Sequence, residues 1–129
     1  MALVLFIDDD LITRVLYEKA CLILGHQSLV AETGQRGVAL AGERQPNLIL
    51  LDMSLPDMDG LHVLTQLRTG VRTALIPVVI VSAGQSEQDA QILTAAGAAA
   101  YLSKPVGLNS LQHAIDTYAT DVCAPTLSG

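Results

Sequence analysis

The sequence has few aromatic residues: no tryptophan, one phenylalanine and three tyrosines among 129 residues. Half of the residues are nevertheless apolar, so the core of a folded domain must be aliphatic. The apolar runs are short, and none approaches the roughly 18 residues that a membrane-spanning helix needs. The first run has no basic residues before it and leads directly into aspartates, so we expect a strand there and not a signal peptide.

Cysteine and basic residues are scarce as well. Cys21 and Cys123 lack a C-x-x-C spacing, which favours two free thiols in a reducing cytoplasm. Seven Lys and Arg stand against 13 Asp and Glu, with no basic stripe, so direct nucleic-acid binding is not expected. The net charge of -6 matches the six acids found in two short segments, 8–10 and 52–59. Such a concentration of carboxylates is typical of a cation site.

Short apolar runs alternate with longer amphipathic stretches. The runs predict strands at about 2–7, 28–32, 47–52, 77–82 and 99–103. The amphipathic stretches predict helices at about 11–24, 35–44, 59–69, 86–96 and 107–119. Five βα units of this kind predict an α/β domain with a doubly wound parallel sheet. We expect one domain over residues 1–119 and a flexible C-terminal tail, or the start of a linker, over residues 120–129.

Polar residues stand where four of the apolar runs end: Asp8-Asp9-Asp10, Asp52, Ser82 and Lys104. In an open α/β sheet, these carboxyl ends of strands border the ligand crevice. Adjacent carboxylates repel each other unless a cation or a proton intervenes, so Asp8 and Asp9 indicate a metal. Carboxylates, a hydroxyl and a lysine in one crevice suit a divalent cation together with a phosphoryl group. Asp10, Asp57 and Asp59 are better explained as helix caps and turn residues.

These features, in this order, resemble the receiver domain of two-component response regulators. The similarity covers about residues 2–119 and rests on the segments VLFIDDD, LILLDMSLPDMDG, PVVIVSAG and GAAAYLSKP. The resemblance implies a flavodoxin-like doubly wound (βα)5 fold, whose five-stranded parallel sheet has the order 2-1-3-4-5 with helices on both faces. It also implies a signalling switch of a phosphorelay, which catalyses its own phosphotransfer and slow self-dephosphorylation without being a turnover enzyme.

The resemblance gives the acidic residues distinct roles. Asp52 would be the phosphoacceptor, because it occupies the position of the family's acyl-phosphate-forming aspartate. Asp9 would bind Mg²⁺ directly, and Asp8 would support the ion indirectly, from behind the direct ligands or through water. Asp52 and the backbone carbonyl of Ser54 would complete this site, in which Mn²⁺ could substitute. A helix cap or a turn remains the structural alternative for each aspartate.

The resemblance also implies roles for residues on the last two strands. Ser82 and Lys104 would contact the phosphoryl group, with a solvated serine and an ordinary ion pair as the structural alternatives. Tyr101 would be an aromatic switch that rotates inward as Ser82 moves towards the phosphate; the alternative is a half-buried strand tyrosine. The bond between Lys104 and Pro105 would be cis, which the sequence itself leaves open.

The implied partners are a sensor histidine kinase or a histidine phosphotransfer protein as donor, and a downstream effector. Only about ten residues follow the last predicted helix, so we expect output through a partner or through a domain outside this sequence. We expect a cytoplasmic location and no membrane insertion. The first predicted helix is unusually apolar, and Leu11, Val15 and Leu22 are expected to face outward. In the family this helix docks the phosphodonor, although additional core packing is an alternative.

Two other functions compete with this interpretation. In a haloacid-dehalogenase-like phosphatase, Asp8 would be the nucleophile and Asp10 the acid/base, with Ser82 and Lys104 following in order. That scheme leaves Asp52 unexplained, and no acidic pair follows Lys104 to complete its metal site. The second alternative is a phosphorylation-independent receiver-like interaction module. Such modules usually lack the acids or the lysine, whereas here every position is filled.

Overall fold

Five strands and five helices alternate in the computed structural model, which describes residues 1–83 and 87–119. The strands are β1 (Leu3–Ile7), β2 (Gln27–Ala31), β3 (Leu48–Asp52), β4 (Val78–Ser82) and β5 (Ala100–Ser103). The helices are α1 (Leu11–Leu24), α2 (Gly34–Arg44), α3 (Gly60–Thr69), α4 (Glu87–Ala95) and α5 (Leu108–Tyr118). Every predicted element is present, with each end within one residue of its predicted place. The predicted tail at 120–129, including Cys123, lies outside the described residues.

The strands form one parallel sheet in the order β2-β1-β3-β4-β5, which confirms the expected fold class. All residues of β3 and β4 are buried, and so are four of the five in β1. These three central strands are covered on both faces, which explains why their sequences are continuously apolar. Among the helices of the described part, none is long and apolar enough to cross a membrane.

The sheet separates two hydrophobic cores. Side chains of β1 alternate between them: Leu5 and Ile7 pack in the core beneath α2, α3 and α4, while Val4 and Phe6 pack in the core beneath α1 and α5. In the second core, the ring of Phe6 stacks on that of Tyr17 with centroids 4.4 Å apart. Packing on both faces fixes the central strands, and with them the strand ends that carry the polar residues.

Two helices begin after aspartates that the sequence predicts as caps. Asp10 is the N-cap of α1 and accepts a hydrogen bond from the Thr13 N–H at 2.9 Å. Asp59 caps α3 in the same way through the His62 N–H at 2.8 Å. Gly25 ends α1 in the left-handed conformation, with φ at 83°, which a residue with a Cβ rarely adopts. Capping therefore fixes where the chain leaves the strand ends and enters the helices.

The outer face of α1 is apolar. Tyr17 and Cys21 are the buried residues of this helix. Leu24 is partly buried against the core, but six other large aliphatic side chains of the helix are exposed: Leu11, Ile12, Val15, Leu16, Leu22 and Ile23. The outward placement expected for Leu11, Val15 and Leu22 is confirmed. Ile12, Leu16 and Ile23 are exposed as well. The surplus apolar residues of α1 are therefore surface and not additional core; we call these six side chains the α1 stripe.

Truncation of Leu50 tests the double-sided core. Leu50 is 2% exposed in β3, whereas Leu75 in the loop before β4 is 91% exposed. We expect Leu50→Ala to lower the free energy of unfolding by about 2–5 kcal/mol, because it leaves a cavity in a close-packed core. The matched change Leu75→Ala should stay within about 0.5 kcal/mol of the wild type. Urea denaturation followed by circular dichroism measures both, and equal effects would contradict this description of the core.

Candidate functional site

The polar residues singled out in the sequence meet at one edge of the sheet. Asp8 follows β1, Asp52 is the last residue of β3, Ser82 is the last residue of β4, and Lys104 follows β5. The strands are parallel and pair in register, with Asp52 opposite Val81 and Ser82 opposite Ser103. Their carboxyl ends therefore lie side by side, as the doubly wound sheet requires.

The turn from β1 to α1 holds Asp8 inside the protein and leaves Asp9 at the surface. Asp8 Oδ1 accepts a hydrogen bond from the Asp10 N–H at 2.9 Å, and its backbone carbonyl accepts one from Arg14 Nη1 at 2.9 Å. Asp8 is 1% exposed, whereas Asp9 is exposed. The two neighbouring carboxylates thus lie in the same cleft, Asp8 at its buried base and Asp9 at its exposed rim.

Two buried carboxylates share one lysine. Lys104 Nζ lies 3.2 Å from Asp8 Oδ2 and 3.3 Å from Asp52 Oδ1. Asp8 is 1% exposed and Asp52 is 5% exposed, so both carboxylates that pair with Lys104 are buried. With Asp9 beside them, the three carboxylates carry more negative charge than one ammonium group neutralises.

Burial and mutual repulsion govern the electrostatics of this cleft. Burial raises the pKa of Asp52 and the charge of Asp8 raises it further, against the lowering effects of the Ser54 N–H and of Lys104. Burial alone would lower the pKa of Lys104, but its attraction to Asp52 and Asp8 outweighs this and raises the pKa. The lysine is held in its charged form, while ionising Asp52 costs free energy.

The acidic cluster has the donor set of a hard divalent cation. Asp8, Asp9 and Asp52 each offer one carboxylate oxygen, and these oxygens all lie within 4.8 Å of one another. Mg²⁺ prefers such oxygen ligands and would supply the positive charge that the cluster lacks. The buried Oδ2 of Asp8 fits the same interpretation, because the Lys104 ammonium that pairs with it is shared with Asp52 and balances only one of the two charges.

The loop between β3 and α3 carries Ser54. The Ser54 N–H donates to Asp52 Oδ1 at 3.3 Å, and Ser54 pairs across the loop with Asp59 in an isolated antiparallel bridge. Asp57, expected only as a turn residue, instead accepts hydrogen bonds from the first two N–H groups of α2. The sequence gives no local signal for this contact, because the partners are 23 and 22 residues apart.

The ends of β4 and β5 complete the edge. Ser82 is 4% exposed, and its carbonyl accepts a hydrogen bond from the Lys104 N–H at 2.8 Å. Tyr101 is half-buried on β5 and packs against the core under α2, α3 and α4. The bond between Lys104 and Pro105 is cis, as the family resemblance suggests. Gly84, the last residue of the PVVIVSAG segment, lies outside the described residues.

Replacement of Asp52 tests the cost of the crowded carboxylates. Because the pKa of Asp52 is raised in the folded state, the unfolded chain releases this proton first as pH rises, and stability falls between the unfolded and folded pKa values. We therefore expect Asp52→Asn to raise the urea midpoint of the metal-free protein near neutral pH, and this gain to disappear in acid. The exposed Asp116→Asn serves as control. A lower midpoint for Asp52→Asn at neutral pH would contradict the assigned balance of charges.

Comparison with known proteins identifies relatives of the whole described fold. Residues 4–116 match the family model described as the response regulator receiver domain. The chain is 39% identical over 112 residues to the KDP operon transcriptional regulatory protein KdpE of Escherichia coli, with 87% of this chain and 48% of KdpE covered. It is 36% identical over 118 residues to the protein PilH of Pseudomonas aeruginosa, with 90% of this chain and 96% of PilH covered. The chain thus spans about half of KdpE but nearly all of PilH.

Solved structures give the same result for the fold. A CheY-like response regulator receiver domain protein from Methanospirillum hungatei superposes with a TM-score of 0.82 at 28% sequence identity, covering 90% of this chain and 91% of that one. The phosphatase alternative and the phosphorylation-independent module are not favoured by these relatives. The sheet order, the acidic strand ends and the match over residues 4–116 agree: the chain belongs to the family of response regulator receiver domains, which are signalling switches of two-component systems.

Proposed function

We propose that this chain takes a phosphoryl group onto Asp52 from a histidine-phosphate donor and thereby changes a partner-binding face. The observation that supports this role is the position of Asp52. Its carboxylate lies in the cleft at the end of a central strand, 3.3 Å from the Lys104 ammonium and within 4.8 Å of the Asp8 and Asp9 oxygens. Of the three clustered carboxylates, it is the one at the end of β3, the strand that lies between β1 and β4 in the middle of the sheet.

The proposed reaction is an in-line displacement at phosphorus. An oxygen of ionised Asp52 attacks the phosphorus, an acyl phosphate bond forms, and the phosphorus–nitrogen bond of the donor histidine breaks. The departing imidazole keeps the electron pair and takes a proton. Hydrolysis of the acyl phosphate later releases inorganic phosphate and restores the Asp52 carboxylate.

Receiver domains bind Mg²⁺ at an acidic pocket, and here Asp8, Asp9, Asp52 and the carbonyl of Ser54 would hold it. When bound, Mg²⁺ neutralises the carboxylates and the incoming phosphoryl oxygens. Mn²⁺, which takes similar oxygen ligands, would substitute. The carboxylates must be ionised to bind either metal, so affinity falls with falling pH.

Lys104 and Ser82 would respond to the new phosphate charge. Lys104 already holds two carboxylates, and a phosphoryl group on Asp52 offers its ammonium a stronger acceptor. Ser82 lies buried on the neighbouring strand, where its hydroxyl could donate to a phosphoryl oxygen. Inward movement of Ser82 and Lys104 would leave space for Tyr101 to rotate and change the outer face of β5, α4 and α5.

Receiver domains interact with histidine kinases or phosphotransfer proteins and with downstream effectors. For this chain, we assign the phosphodonor contact to the α1 stripe, because α1 begins directly after the acidic turn and exposes six aliphatic side chains. Output passes through an effector or a further domain. The cytoplasm, where such donors carry their phosphohistidines, is the proposed location.

Acetyl phosphate, a small donor that needs no kinase, tests the phosphoacceptor. With Mg²⁺ present, we expect intact mass spectrometry to show one added phosphoryl group on wild type and on Asp116→Asn. Asp52→Asn should show none, because the attacking carboxylate is missing, and EDTA should abolish labelling of the wild type. Labelling of Asp52→Asn would show that the nucleophile is another residue, and labelling in EDTA would contradict the metal site. Turnover of a small phosphomonoester that Asp8→Asn loses and Asp52→Asn keeps would support a phosphatase instead.

The role of Lys104 is tested by measuring two things separately: the rate of phosphorylation and the structural response of β5 and α5 to it. We expect Lys104→Ala to accept the phosphoryl group at least tenfold more slowly, because the variant lacks one charge-assisted contact to the phosphoryl oxygens. Phosphorylated wild type should show altered amide hydrogen exchange in β5 and α5, whereas phosphorylated Lys104→Ala should not. Lys104→Arg, which keeps the charge, serves as the matched control. An unchanged exchange response in Lys104→Ala would refute the coupling role.

A further inference from the structure

Asp57 joins two parts of the molecule that are distant in sequence. Its Oδ1 accepts a hydrogen bond from the Gly34 N–H at 2.8 Å, and its Oδ2 accepts one from the Gln35 N–H at 2.9 Å. Asp57 lies in the loop between β3 and α3, whereas Gly34 and Gln35 begin α2, which follows β2. These N–H groups hold the pKa of the Asp57 carboxyl below its usual value, so the carboxylate stays ionised and the contact persists into mild acid.

Helix α2 already has a cap of its own. Thr33 is its N-cap residue, and the Thr33 hydroxyl oxygen accepts a hydrogen bond from the Arg36 N–H at 3.1 Å. Asp57 satisfies the two remaining N–H groups of the first turn and places a negative charge at the positive end of the helix dipole. Two side chains from different segments thus cap one helix end, and only one of them belongs to the loop that carries Ser54.

The tip of that loop lies closely against α2. A Cβ atom on Gly34 would come within 2.7 Å of Met58 Cγ and of Val63 Cγ2, so only glycine permits this approach. The base of the loop is closed separately, because the Gly60 N–H donates to the Met53 carbonyl at 3.3 Å. The loop is therefore fixed at its base by its own backbone and at its tip by α2.

We propose that Asp57 is a positioning residue for the phosphorylation site: it anchors the β3–α3 loop on α2, so that the Ser54 carbonyl and Asp52 stay in place for the cation. This inference rests on the proposed function. Within the described residues, no hydrogen bond or ion pair joins Asp57 to the Asp8–Asp9–Asp52 cluster or to Lys104. Its influence on the cation would pass entirely through the backbone between residues 52 and 57.

A purely structural cap and a positioning residue make different predictions. Thr33→Ala and Asp57→Ala both remove capping bonds from the same helix end, so both should destabilise the protein. Only Asp57→Ala also releases the loop. A difference between these two variants at the metal site therefore measures positioning and not helix stability.

The experiment compares the wild type, Thr33→Ala, Asp57→Ala and Asp57→Asn at a temperature where circular dichroism shows all four folded. Calorimetric titration with Mg²⁺ should give about tenfold weaker binding for Asp57→Ala, the usual scale for losing a residue that supports a metal ligand. Asp57→Asn, which keeps one acceptor oxygen, should lie between wild type and Asp57→Ala. Thr33→Ala should bind Mg²⁺ as the wild type does. In the metal-free proteins, amide exchange over residues 53–58 should be faster in Asp57→Ala alone.

Two results overturn the inference in distinguishable ways. If the wild type binds Mg²⁺ and is labelled at Asp52, but Asp57→Ala matches Thr33→Ala in Mg²⁺ affinity and loop exchange, Asp57 is only a cap. A wild type that neither binds Mg²⁺ nor accepts a phosphoryl group overturns the proposed function and the positioning role together.

Discussion

Two buried carboxylates facing one ammonium group create the constraint on which this molecule depends. Asp8 and Asp52 are almost fully removed from water, and Lys104 reaches both within 3.3 Å. An arrangement with surplus buried negative charge is unfavourable by itself, since desolvation of an ion costs more than a shared partner returns. The sheet sustains it because its three central strands are fixed by packing on both faces. The stability of the cores therefore supports a cleft that holds unneutralised charge ready for a cation and a phosphoryl group.

Most of the fold could be predicted because the sequence carries independent signals for it. Central strands that are apolar at every position indicate burial on both faces, and β3 and β4 are buried throughout. Asp10 and Asp59 were predicted as caps from their place before amphipathic stretches, and both accept the expected hydrogen bonds. The members of the acidic cluster were predictable for the same reason, because strand ends of a parallel sheet converge on one edge.

What the sequence could not show depends on distances through space. Asp8 and Asp9 are neighbours of identical chemistry, yet only the folded turn shows that one is buried and the other exposed. The contact of Asp57 with α2 links residues 23 positions apart, so no local sequence pattern predicts it. The first helix posed a third difficulty: its apolar residues exceed one core-facing stripe, and periodicity alone leaves open how many lie outside. Tertiary packing places six of them on the surface.

The stacked pair of Phe6 and Tyr17 beneath the cleft gives this chain a built-in spectroscopic reporter. Burial raises the pKa of the Tyr17 phenol, and the charges of Asp8 and Asp52 raise it further, so the ring lies within the electric field of the acidic cluster. Because the sequence has no tryptophan, tyrosine dominates its near-ultraviolet absorption and emission. A cation or a phosphoryl group in the cleft changes the charge near Tyr17, so we expect the near-ultraviolet spectrum to report its presence without an added label. Because few aromatic residues contribute to the signal, tyrosine absorption and emission can be used to follow the state of the cleft.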